Sequence, residues 1–247
     1  MAKIERLWHE LFIKKNILIM AKETQELPEF QPVDLGLPSG LKWAACNLGA
    51  TKPQEYGDYY AWGETETKEE YDEDHYKFTP ETEKVLRCPD CGEVYESGKF
   101  CPECGVELEG ENGDFDEYAK YNSDDGLTVL EPGDDVAMKK SNGAWRMPTR
   151  EEFDELRSKC AWERTTLEGV KGYKVTGFNG NSIFLPAAGY RNGDDLYGAG
   201  SYGYFWSRSL GSDYPLDAWY LDFNSDYHRM YDDYRRGGGY SVRAVCP

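Results

Sequence analysis

The chain has 247 residues and a formal net charge of −18 at pH 7, with 15% aromatic and 39% hydrophobic residues. This length accommodates one large domain or two small ones. No run of about eighteen apolar residues occurs, so we expect no insertion into a membrane. The excess of acidic groups argues against a nucleic-acid-binding protein, because binding to phosphates depends on Lys and Arg.

The charged residues are unevenly distributed along the chain. The segment after Lys174 contains no Lys, Glu or Gln, although it includes eight aspartates and six arginines. An even distribution of all the Glu and Lys residues would place about 12 of them in this segment. Their absence therefore requires a cause.

The N-terminal residues predict a short amphipathic helix. The apolar residues that recur at helical spacing are Ile4, Leu7, Trp8, Leu11 and Phe12. We expect residues 1–27 to form a helical extension that docks on a partner or on the body of the chain. No small-residue cleavage site follows the apolar residues. We therefore expect synthesis in the cytoplasm without a signal peptide, and assembly into a phage particle stays open as a final location.

Four of the seven cysteines predict a metal site. They form two Cys-x-x-Cys turns, and in each turn a Pro follows the first Cys and a Gly follows the second. The predicted ligands are Cys88, Cys91, Cys101 and Cys104. Two such turns supply four thiolates to one tetrahedral ion, which indicates structural Zn²⁺ without an open position for catalysis. We expect residues 79–117 to form a small inserted zinc ribbon; a pair of disulfides or a redox site is the alternative.

The remaining segments indicate short strands, long loops and few helices. In residues 28–62, short apolar pieces alternate with Gly and Pro. Thr149 and Glu152 form a capping box ahead of an amphipathic helix. After Gly172, short apolar runs are again separated by Gly, Asn and Asp. These patterns predict the α+β class.

Five segments resemble proteins of gut Bacteroidetes and their phages. They are VDLGLPSGLKWA at 33–44, YGDYYAWGE at 56–64, WRMPTREEF at 145–153, LPAAGYR at 185–191 and SVRAV at 241–245. Such proteins have the C-type lectin fold, in the branch that also contains formylglycine-generating enzymes. Many of them are variable proteins of diversity-generating retroelements. The resemblance implies one domain of this fold, formed by residues 28–78 and 118–247.

The composition of residues 190–240 bears on diversification. This window holds ten Tyr, eight Asp, eight Gly, five Arg and five Ser. A retroelement of the kind that the resemblance implies randomises adenines in AAC-type codons. Such changes reach Tyr, Asp, Gly, Ser, Arg and His, but they cannot reach Lys, Glu or Gln. Diversification therefore explains the missing residues, and ordinary selection of a Tyr-rich loop region is the alternative.

The same composition indicates a binding surface. Tyr supplies a large amphipathic contact area, and Gly, Ser and Asn supply adaptable backbone and hydrogen bonds, as in antibody paratopes. We expect residues of this region to bind a variable protein or a cell-surface ligand. The predicted contact residues are Tyr202, Tyr204, Arg208, Asp217, Tyr220, Tyr227, His228, Arg229, Asp232, Tyr234 and Arg235.

Two other functions remain open from the sequence. A calcium-dependent glycan-binding lectin could use the oxygens of residues 194–195 or 232–233, although the sugar-binding loop of such lectins is missing. A non-diversified paralogue of the formylglycine-generating branch is the second. Those oxidases rely on a pair of cysteines near the C-terminus, whereas this chain has only Cys246 there. We therefore expect no enzymatic activity.

Overall fold

A computed structural model describes residues 28–80, 84–112, 116–212 and 214–247. The helical extension predicted for residues 1–27 lies outside these ranges. A 3-10 helix at Pro28–Phe30 opens the described chain. The strands are β1 (Pro32–Asp34), β2 (Lys42–Ala44), β3 (Lys84–Arg87), β4 (Val94–Tyr95), β5 (Glu109–Asn112), β6 (Ala161–Leu167), β7 (Val170–Thr176), β8 (Ser182–Pro186), β9 (Tyr190–Asn192), β10 (Asp195–Tyr197), β11 (Gly203–Leu210), β12 (Ala218–Phe223), β13 (His228–Tyr231) and β14 (Val245–Cys246). The α-helices of these ranges are α1 (Val136–Lys140) and α2 (Arg150–Lys159).

Within the described residues, the strands form five small sheets. Three sheets have the strand orders β1-β2-β14, β6-β7-β8 and β11-β12-β13, and β9 pairs with β10. The fifth sheet, β4-β3-β5, lies within residues 79–117. We call residues 79–117 the cysteine module. Its three strands pair with one another and with no other named strand, as an inserted module requires. The exact boundaries of the module stay a prediction.

The prediction of an α+β class is wrong, because the part of the chain that the structure describes is largely β. The two helices of the described ranges have five and ten residues, and all the strand ladders are antiparallel. Gly and Pro interrupt most of the chain too often for longer helices. This arrangement of small sheets does not confirm the C-type lectin fold that the resemblance implied. Neither helix is long and apolar enough to span a membrane.

The capping box at the start of α2 is confirmed. The Thr149 hydroxyl accepts a hydrogen bond from the Glu152 backbone N–H, and the Glu152 carboxylate accepts one from the Thr149 N–H. Phe153 and Leu156 then bury the apolar side of this helix. The helix thus packs beneath the sheet that carries the candidate contact residues.

The sheet β11-β12-β13 separates two parts of the core. Side chains alternate between the faces of a strand. On one face, Trp206 and Tyr220 join a cluster with Trp62 and Tyr240. Residues of the other face join a second cluster, built around Trp43 and Phe153. They are Phe205, Leu221 and Phe223.

The C-terminal segment runs through the interior and is held by Arg243. Residues 236–245 are all buried. The Arg243 guanidinium donates hydrogen bonds to the Asn47 side-chain oxygen and to the carbonyls of Ala44, Ala45 and Phe184, at 2.7–3.0 Å. Burial lowers the pKa of Arg243 to about 10, so it stays charged at neutral pH. Amide and carbonyl oxygens therefore take the place of a carboxylate partner.

Replacing Arg243 with Met should lower the free energy of unfolding by about 3 kcal/mol or more, because several buried carbonyls would lose their donors. Urea denaturation of the purified chain measures this change. Arg164→Met, at an exposed position on β6, is the control and should change stability by less than about 0.5 kcal/mol. Equal small effects of both substitutions would refute the anchoring role of Arg243.

Candidate functional site

The candidate binding face is built around a cluster of tyrosines. We define the tyrosine cluster as Tyr190, Tyr197, Tyr202, Tyr204, Tyr220, Tyr231, Tyr234 and Tyr240. Their ring centroids are linked in steps of 5.0–6.3 Å. At this spacing aromatic rings attract one another beyond the simple burial of area.

The cluster runs from the core to the surface. Tyr240 is fully buried and stacks on Trp206 at 4.1 Å, whereas Tyr197 and Tyr202 are 43% and 38% exposed. Burial raises the pKa of Tyr234 to about 12 and that of Tyr204 further, so both stay neutral at physiological pH. The exposed members therefore rest on a rigid aromatic base.

Most of the sequence-predicted contact residues lie in or beside this cluster. Tyr202, Tyr204, Tyr220 and Tyr234 belong to it. Tyr220 is nevertheless almost fully buried, and its hydroxyl donates to the Asp233 carboxylate at 2.6 Å. Its role in the structure is to position the neighbouring loop.

Charged contact residues lie along the edge of the cluster. Asp217 and Arg235 face each other in an isolated β-bridge. Asp232 accepts a hydrogen bond from the Ser212 N–H at 3.0 Å. Arg229 packs between the rings of Tyr227 and Tyr231. Both signs of charge are thus available next to the exposed tyrosines.

Two predicted contact residues are not brought together with the others. His228 lies on the opposite face of β13, where its ring stacks on Trp162 at 4.4 Å and burial lowers its pKa. Arg208 donates to the Leu130 carbonyl at 2.6 Å and lies 3.7 Å from the buried Asp135. Both side chains make packing or anchoring contacts within the chain.

The sequence prediction missed several residues of this face. Tyr190, Tyr197, Tyr231 and the buried Asp222 were not among the predicted contacts. Strand pairing places Asp222 opposite both Tyr204 and Arg229, and Tyr220 opposite Tyr231. For Asp222 and Tyr231, period-two alternation along β12 and β13 was the available signal, since it separates them from their apolar neighbours.

A cavity of about 310 Å³ opens beside Tyr234 and Arg235. Asp72 and Glu73 line its far side, and the Arg235 guanidinium lies 3.6 Å from the Glu73 carboxylate. Gly237 has no room for a side chain, because a Cβ there would lie 2.8 Å from the Asp72 carbonyl. Residues from the first half of the chain therefore share a concave site with the Tyr-rich region.

The four cysteines of the cysteine module could hold a metal ion. Their Sγ atoms all lie within 4.8 Å of one another, and Cys91 and Cys101 are 3.8 Å apart. Ligands at about 2.3 Å from a tetrahedral ion are separated by about 3.8 Å, so this spacing fits four thiolates around one ion. The prediction that these cysteines lie together is confirmed.

The two Cys-x-x-Cys turns have the same local geometry. The Gly92 N–H donates to the Cys88 carbonyl at 2.9 Å, and the Gly105 N–H donates to the Cys101 carbonyl at 2.8 Å. The Tyr95 hydroxyl lies 3.3 Å from Cys101 Sγ and lowers the pKa of that thiol to about 6. A nearby donor of this kind favours the thiolate that a metal requires.

Potential oxygen ligands are arranged less favourably. In the described ranges, the second group of three close ligand residues is Glu70, Asp72 and His75, which is largely exposed. Neither aspartate pair at 194–195 or 232–233 belongs to such a group. The residues on which the calcium alternative relied are therefore not assembled into one site.

Comparison with known families gives one match. Residues 154–245 match the model of a domain of unknown function, DUF8237. The match begins inside α2 and ends in β14, so it contains the whole tyrosine cluster and excludes the cysteine module. No curated protein and no solved structure matches the chain.

The titration of Asp217 should be visible in stability. Burial raises the pKa of Asp217 to about 6, against the opposing charge of Arg235. The folded state then holds this proton more tightly than the unfolded chain does. The contribution of Asp217 to the free energy of unfolding is therefore present below about pH 4 and is lost as the pH rises to about 6.

Asp217→Asn keeps a neutral group at this position. The stability of the variant relative to the parent should therefore increase between about pH 4 and about pH 6, as chemical denaturation at several pH values would show. Asp226→Asn, at an exposed turn position, is the control. If the difference in the free energy of unfolding between Asp217→Asn and the parent stays constant over this pH range, the raised pKa of Asp217 is contradicted.

Proposed function

We propose that this chain is a ligand-binding protein that recognises a protein or cell-surface ligand through the exposed edge of the tyrosine cluster. We propose further that a diversity-generating retroelement varies this region to change binding specificity. The observation that carries the proposal is the continuous aromatic path from the buried Tyr240 to the exposed Tyr197 and Tyr202. A rigid base with exposed tyrosines limits the entropy lost on binding.

The distribution of residue types supports diversification. The segment after Lys174 lacks Lys, Glu and Gln, the residues that AAC-type codons cannot reach. Phe205, Leu221 and Phe223 on one face of the sheet β11-β12-β13 pack in the core, while Arg229 on the other face and Tyr202, just before β11, remain exposed. Substitution at such exposed positions would leave the core contacts intact. We assign no catalytic residue and propose no nucleic-acid partner for this acidic chain.

Two display libraries test whether this face can acquire new ligands. The first randomises Tyr197, Tyr202, Tyr227, Arg229 and Arg235 with AAC-derived codons. The control library randomises five exposed positions on β6 and β7, namely Glu163, Arg164, Thr166, Lys171 and Lys174. Both libraries are displayed on yeast and selected against lysozyme, ubiquitin and serum albumin.

We expect both libraries to contain mostly folded clones, since every randomised side chain is at least partly exposed. Specific binders should come from the first library alone, because the tyrosine cluster supplies the aromatic base that the control face lacks. Binders of equal number and affinity from both libraries, or from neither, would contradict the proposal.

For the cysteine module we propose that the ion is Zn²⁺ in a structural role. The donor set consists of four thiolates, which are soft ligands with the spacing of a tetrahedral site. All four positions around the ion would be taken by protein, so the metal would have no open position for a substrate. Its effect would be to stabilise a module whose core consists of few residues.

Removal of the metal should unfold the module selectively. Metal binding supplies on the order of 10 kcal/mol to structures of this kind, so a strong chelator should abolish one calorimetric transition and leave that of the main domain. Cys101→Ser should act like the chelator, whereas Cys246→Ser, outside the cluster, should not. Metal analysis should find one zinc per chain. A single transition that responds as a whole to chelation would refute a separate module.

A further inference from the structure

Arg229 occupies a site whose chemistry suits a cation. The centre of its guanidinium lies 3.8 Å from the centroid of the Tyr227 ring and 3.9 Å from that of Tyr231. Two aromatic faces at this distance attract a positive charge through their π-electrons. Strand pairing places the Asp222 carboxylate on the same face, opposite Arg229.

The Asp222 carboxylate is buried and incompletely partnered. The residue is 4% exposed, and its Oδ1 atom has no hydrogen-bond partner among the described residues. The Arg229 Nε atom lies 3.8 Å from Asp222 Oδ2, which is longer than a hydrogen bond. A carboxylate can accept several hydrogen bonds, so this one keeps capacity for a charged donor.

Arg229 is held loosely enough to be exchanged. Its side chain is 44% exposed, and it has stacking contacts but no short ion pair with Asp222. Ser, Gly, Asn and His are all reached from the same AAC-type codons that reach Arg. A change at this one position would therefore remove the internal cation and leave the two rings and the carboxylate in place.

We propose that Asp222, Tyr227 and Tyr231 form a subsite for a guanidinium or ammonium group of a protein partner, and that residue 229 determines how the subsite is filled. In this chain Arg229 fills it internally. With a small residue at position 229, an Arg or Lys side chain of the partner enters instead. This inference rests on the proposed binding function and specifies one contact of it. The net charge of −18 favours a basic partner surface.

The test uses the full chain with Arg229→Ser and a peptide probe. Acetyl-Gly-Arg-Gly-amide carries the cation, and the peptide with citrulline in place of Arg is its uncharged counterpart of the same shape. NMR signals of labelled tyrosines are followed during titration at constant ionic strength. Arg164→Ser, which removes an exposed arginine on β6, is the matched control variant.

We expect saturable shifts of the Tyr227 and Tyr231 signals in Arg229→Ser with the Arg peptide and none with the citrulline peptide. The parent chain and Arg164→Ser should show no saturable shift, because Arg229 still fills the site. Adding Asp222→Asn to Arg229→Ser should weaken binding about tenfold or more, since a charged hydrogen-bond acceptor is lost. If that double variant does not fold, Tyr231→Leu in the same background should weaken binding instead.

Three results would overturn the inference: no saturable shift in Arg229→Ser, equal binding of the two peptides, or equal affinity after Asp222→Asn or, where that variant does not fold, after Tyr231→Leu. The titration contains no macromolecular partner. It can therefore fail while the display libraries succeed, and the reverse holds as well, so a failure of the subsite is distinguishable from a failure of the binding function.

Discussion

The buried Arg243 guanidinium is the interaction on which the arrangement of the chain depends. It joins the Ala44 and Ala45 carbonyls at the end of β2 and the Phe184 carbonyl of β8 to the C-terminal segment. A buried charge is costly unless its donors are satisfied, and here every hydrogen bond also fixes the position of a neighbouring segment. The same buried segment carries Tyr240, which pairs with Tyr60 and stacks on Trp206. The base of the tyrosine cluster is therefore held by contacts far from the exposed face.

In the sheet β11-β12-β13, the proposed variable positions are the exposed ones of a face that also carries the buried Trp206 and Tyr220. Phe205, Leu221 and Phe223 point into one core cluster, while Tyr204 and Arg229 lie on the opposite face of the same strands. Side chains that share no contacts can change without coupled effects on stability. Arg236 shows where this freedom ends, because it is fully buried and donates to the Lys120 and Tyr121 carbonyls. A surface for recognition and a fixed scaffold can thus be encoded in one short segment.

Features that depend on residues close in sequence were predictable, whereas the pairing of strands and of residues far apart in the chain was not. The capping box at Thr149 and the four-cysteine cluster both depend on residues close in sequence, and both are confirmed. The α+β class was wrong, because the helices of the described residues have only five and ten residues and short strands form most of the remaining regular structure. The sequence predicts that His228 is a contact residue like its neighbours, but the register of β12 and β13 places it on the opposite face, against Trp162. The bond between Arg243 and Asn47 spans 196 residues, and no local pattern indicates it.

The sequence of the DNA that flanks the gene tests the central claim most directly. The proposal predicts a reverse-transcriptase gene and a non-coding repeat of the codons for the C-terminal segment, which differs from them only at adenines. The differing codons should encode exposed positions such as Tyr202 and Arg229, and they should avoid buried ones such as Trp206 and Arg236. Absence of the repeat, or differences that fall on the buried positions, would contradict diversification of this face.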